Sequence, residues 1–138
     1  MPQVVVAGLV VAHGLITTTI GLGGVTRPDA PAMALPAWFG WWPGPFGRSW
    51  LIDAMHLGPG ASRIGNGLWL VAGLALVAAG LGWLGVPALA GVWQQLVLGG
   101  AIVGLVALAL FFHPFYLVAV LVNVAIVMRA WGAFVPAR

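Results

Sequence analysis

The sequence predicts an all-α, membrane-embedded four-helix bundle with a Pro/Trp-rich interfacial loop that contains a short amphipathic helix. Three observations predict it. Of 138 residues only seven carry a formal charge, five Arg and two Asp, while 62% are apolar. A soluble domain has roughly 25% charged residues, and the 5% here cannot cover a water-facing surface. Next, 65 residues without a charge separate Arg63 from Arg129, which is room for three crossings of about 20 residues with tight turns between them. Finally, runs such as Leu68-Trp69-Leu70-Val71-Ala72-Gly73-Leu74-Ala75-Leu76 do not alternate with polar residues, as the strands of a membrane β-barrel would.

The same numbers exclude several classes. A disordered chain and a coiled coil both need more polar surface. With a net charge of only +3 there is no basic patch for nucleic acid. The absence of Cys removes disulfides, thiolate metal sites and cysteine nucleophiles together.

The chain divides as one membrane domain, residues 1–138, with helices expected near 3–25, 66–86, 92–112 and 115–134. The first is an uncharged run that ends at Thr26. A signal peptide fits it poorly, because Met1-Pro2-Gln3 has no basic residue and the apolar run is too long. Val86-Pro87-Ala88-Leu89-Ala90-Gly91 separates the second helix from the third, and His113-Pro114 separates the third from the fourth. Four crossings place both termini on one side, opposite the loop 26–65. Arg27, Arg48 and Arg63 lie with the loop, Arg129 and Arg138 with the termini. That division does not set the orientation; a bacterial inner membrane with cytoplasmic termini is the expectation.

Loop 26–65 has its own chemistry. Pro28, Pro31, Pro36, Pro43 and Pro45 fall within 18 residues and prevent regular helix. Trp38, Phe39, Trp41, Trp42, Phe46 and Trp50 come next, six aromatics in 13 residues. Trp favours the headgroup layer, where the ring is in apolar surroundings and the indole N–H finds a partner. Ser49 can cap a short helix over about 50–57, with Asp53 and His56 on its polar edge and Gly58-Pro59-Gly60 ending it. Between the long helices, close approach of small residues does more than Leu–Leu burial, since lipid is as apolar as Leu. Gly8/Ala12, Ala75/Ala79, Ala78/Gly82 and Gly100/Gly104 are the pairs with the required spacing.

Few side chains can carry chemistry. His13, Thr17 and Gly21 share a face of the first helix, and a titratable group at mid-bilayer is costly enough to suggest a role. At 1.5 Å per residue His13 lies about 15 Å from one side, and Asn123 about 12 Å from the other. In a core of about 30 Å the two form a polar pair at one depth. The structural alternative is a neutral histidine hydrogen-bonded to the neighbouring helix. His56 and His113 both lie on the loop side, and with His13 they are the candidate ligands for a haem or a chlorophyll-type pigment. Arg129 can snorkel to the termini side, and Gln94 and Gln95 read as helix-start residues. There is no nucleophile–base–acid set, since Glu is absent and both Asp lie in the loop.

Ala12-His13-Gly14-Leu15-Ile16, with Leu68-Trp69-Leu70-Val71-Ala72-Gly73 and Ala79-Gly80-Leu81-Gly82, resembles a group of small bacterial four-helix membrane proteins. They are usually described without an activity. Thr17 stands where that group often has a second histidine. The resemblance implies the fold and no reaction. The shortage of reactive groups favours a non-catalytic subunit or scaffold, packed against lipid, other membrane subunits or further copies of itself. Two alternatives stay open: a haem-, pigment- or quinone-binding module, and a small enzyme or transporter for a lipophilic molecule. A cavity beside His13 would favour the last, and tight packing there the first.

Overall fold

The computed structural model describes residues 3–31 and 34–134, so Arg138 and the amino terminus lie outside the described residues. Every regular element among them is helical: α1 (Gln3–Thr26), α2 (Trp50–Ala54), α3 (Pro59–Trp83), α4 (Pro87–Ala90), α5 (Trp93–Leu110) and α6 (Leu117–Phe134). Single 3-10 turns occupy Ala37–Phe39 and Pro114–Tyr116. Helices α1, α3 and α5 are long and apolar enough to cross a membrane.

Local chemistry accounts for the boundaries. Helix α3 begins seven residues before the expected 66, because Pro59 occupies its first turn. Proline has a fixed φ and no N–H, which suits a helix start. Gly58-Pro59-Gly60 therefore starts one helix instead of only ending another, and Arg63 sits inside α3. Helix α2 is shorter than expected. Its cap is as foreseen, with Ser49 Oγ accepting from the Ile52 N–H at 3.3 Å. It ends at Ala54, however, and His56 lies just beyond with φ +53°. The Leu57 N–H returns to Ile52 O and the His56 N–H to Asp53 O, a closing pattern that usually has Gly at the left-handed position. His56 thus terminates α2 instead of extending its polar edge, and five residues do not make an amphipathic helix.

Packing follows chain order, α1 on α3, α3 on α5 and α5 on α6, and the residues that meet across each seam run antiparallel. The seam between α1 and α3 differs from the spacing expected of Gly8 and Ala12. Both are exposed, and a Cβ added at Gly8 would meet nothing within 4 Å. The buried row is Ala7, Gly14 and Gly21. A Cβ on Gly14 would lie 2.7 Å from Val77 N, and one on Gly73 would lie 2.7 Å from Gly14 O. Backbones this close gain dispersion contacts that Leu against lipid cannot supply. The pair Gly100/Gly104 is buried in α5: a Cβ on Gly100 would meet α3, and one on Gly104 would meet Asn123. Thr17 and Thr18 donate to His13 O and Gly14 O, each at 2.8 Å, which satisfies their hydroxyls within α1.

Residues 42–50 fold over the α5–α6 turn. Ser49 Oγ donates to Leu110 O at 2.7 Å and Trp50 Nε1 to Ala109 O at 2.8 Å. These are two of the carbonyls that a helix end leaves without partners. Phe46 packs against the rings of His113, Phe115 and Tyr116. Beneath lies a cluster of Trp69, Ala107, Leu108, Phe111 and Tyr116. A second cluster, Val10, Leu76, Ala79 and Val97, fills the opposite half of the bundle.

Candidate functional site

Helices α1 and α6 bound the bundle without packing closely on each other. Between them, His13 Nε2 lies 3.1 Å from Asn123 Nδ2. The orientation of the amide is fixed by its own helix: Nδ2 also donates to Ala119 O at 2.8 Å, and a carboxamide oxygen could not face that carbonyl. Asn123 therefore donates to both, Nε2 of His13 accepts, and the neutral ring carries its proton on Nδ1. Among the described residues no hydrogen bond reaches Nδ1. Asn123 is 2% exposed, and its Oδ1 has no partner, facing the notch that Gly104 leaves in α5. A side chain at position 104 would press on that oxygen, its Cβ 3.1 Å away.

Beside His13 lies a groove of about 800 Å³, bordered by Val6 to Ile16 of α1 and by Val122 to Ala130 of α6. Val10, Val97 and Ile126 line its wall, and Trp83 and Trp93 form a stacked pair beside it, with centroids 4.7 Å apart. The polar members of the lining are His13 at the inner end, and Gln94 and Arg129 at the outer end. Thr17, one turn beyond His13, is buried against the bundle and not in the groove.

The other candidates have different surroundings. His113 is 1% exposed, with the rings of Phe46 and Trp42 at 5.3 and 6.4 Å. Its Nδ1 accepts from the Phe115 N–H at 3.1 Å, so the imidazole caps the 3-10 turn. Burial lowers its pKa below the ordinary value of 6.5. His56 is exposed at the end of α2, and the structure does not place the three histidines around a common point. Among the described residues no cluster of three His, Cys, Asp or Glu could hold a metal ion. Trp38, Trp41 and Trp50 are largely exposed, whereas Trp42 packs edge-on against Phe112. Arg48 pairs with Asp53 at 2.7 Å.

Sequence reasoning did not find the Trp83–Trp93 pair. The available signal was two Trp flanking the Pro87 turn, one ending a helix and one starting the next. Comparison with known proteins gives no matching family model, no matching curated protein and no matching solved structure. The geometry defines the class: an all-helical chain with three helices fit to span a membrane.

Proposed function

We propose that this chain is a four-crossing integral membrane protein that holds a small lipophilic molecule in the groove beside His13. The observation that supports this reading is the groove itself. An apolar, partly open groove of about 800 Å³ falls within the range of ligand sites, ~300–1,000 Å³. A scaffold held by tight packing at His13 would leave no such gap. The groove also runs over only part of the bundle's length. The lining from Val6 to Ile16 of α1 spans about 15 Å, whereas a crossing helix of another subunit needs a face about 30 Å long. A small molecule suits that length better than a helix does.

The membrane placement rests on length and anchoring. At 1.5 Å per residue α1 and α3 reach about 36 Å, and α5 and α6 about 27 Å, against a hydrocarbon core of about 30 Å. The exposed Trp38, Trp41 and Trp50 fit a headgroup layer on the side away from Gln3.

Photolabelling is the test. A diazirine-bearing fatty acid is added to membranes that contain the protein, and labelled positions are mapped by mass spectrometry. Labelling concentrated at Val10, Val97 and Ile126, and reduced several-fold in Val97→Trp, is the expected result. Equal labelling of the groove and of the lipid-facing Leu74 and Val118 would overturn the reading.

A further inference from the structure

Apart from the indole N–H groups of Trp83 and Trp93, the side-chain polar groups of the groove occur at two levels, with apolar wall between. At the inner level is the Nδ1–H of His13, which has no protein acceptor among the described residues. At the outer level are Gln94 and Arg129. Arg129 has no ion-pair partner among the described residues, and no Asp or Glu lines the groove. Every strong polar group on the wall apart from the Gln94 amide oxygen is thus a donor or a cation. An N–H without an acceptor in hydrocarbon is unfavourable, so a ligand that supplies acceptors at both levels gains twice.

The spacing can be read from α6. His13 is level with Asn123, and Arg129 is six residues on, about 9 Å along the axis. A groove of about 800 Å³ is of the size that takes one small lipophilic molecule. On the reading that the groove holds a lipophilic molecule, we infer that its ligand class is the oxygenated fatty acid. The carboxylate meets Arg129 and Gln94 at the entrance, and an oxo oxygen near mid-chain accepts from His13 Nδ1–H. Arg matches a carboxylate with two parallel N–H donors, and the apolar wall between holds the chain beside Trp83 and Trp93. Asn123 positions the ring by occupying Nε2, which leaves Nδ1 as the donor.

Three probes separate the parts: an oxo-stearic acid with the carbonyl near mid-chain, stearic acid, and the methyl ester of the oxo acid. Each is titrated calorimetrically into the full chain in detergent micelles. The oxo acid binds tightest. Loss of the oxo group weakens binding roughly 3- to 10-fold, as for one neutral hydrogen bond. Esterification weakens it roughly 10- to 100-fold, as for a charged one. In His13→Phe the oxo acid and stearic acid become equal, and in Arg129→Gln the acid and its ester become equal. Arg129→Lys, which retains the charge, keeps the preference for the acid. Equal affinity of the wild-type chain for all three probes overturns this inference and leaves the groove reading standing. Binding of none of the three overturns both. Should a variant fail to fold, the wild-type comparison of the three probes decides alone.

Discussion

At the scale of single residues, the three histidines do three different things. His13 lines the groove, and its Nε2 is held by Asn123 at 3.1 Å. His113 is a buried cap, and its lowered pKa makes stability depend on pH. The native state prefers the neutral ring, so below 6.5 the unfolded chain binds more protons than the folded one. The contribution of His113 is complete above pH 6.5 and is lost as pH falls through that value toward the lower folded pKa. Thermal unfolding in detergent should show Tm falling on acidification, and His113→Asn, which keeps an acceptor for the Phe115 N–H, should reduce that slope. An unchanged slope would mean that His113 does not titrate on unfolding. His56 is held at φ +53°, a conformation that costs a non-Gly residue roughly 1–2 kcal/mol. His56→Gly should stabilise the protein by about 1 kcal/mol in reversible unfolding. Destabilisation would show that the ring makes contacts worth more than the strain.

Among elements, the seam of α1 on α3 brings main chain against main chain. Gly14 faces the α3 backbone, whereas Gly8, six residues earlier, faces open space. Gly14→Val should cost at least about 1–3 kcal/mol through overpacking, because the obstructing atoms are main chain and cannot turn aside. Gly8→Val should change stability by under about 1 kcal/mol and can be stabilising, since Gly is a poor helix former. Equal effects of the two on detergent stability would refute the seam. The loop is tied to α5 by a different means: Ser49 and Trp50 donate to the last carbonyls of that helix. Such bonds matter more where little water reaches the helix end.

For the whole molecule, the alternation of direction puts the start of α1 and the end of α6 at one end of the bundle, and the loop with the α5–α6 turn at the other. If that bundle spans the membrane, single cysteines placed near Pro28 and near Arg138 should react with an impermeant reagent from opposite sides of intact cells. Reaction of both from one side would refute the four-crossing topology.

Much of the fold was legible because membrane helices follow one-dimensional rules. Charge spacing counted the long apolar segments between Arg63 and Arg129, and Pro87 and Pro114 marked the turns. The start of α3 was missed because Gly58-Pro59-Gly60 serves equally well as an end and as a beginning, and the docking of α3 on α1 decides between the two. The depths of His13 and Asn123 could be counted along their helices, which put them on one level. That Asn123 donates, that Gly104 leaves a notch for its oxygen, and that a groove lies beside the pair could not be counted. By itself the sequence determined an apolar, all-helical chain whose polar residues are few enough to name. Tertiary structure decided which glycines meet backbone, how Trp83 stacks on Trp93 and where a gap remains. The physical reason is that composition and spacing act along the chain, whereas close packing and cavities depend on how one helix is rotated against the next.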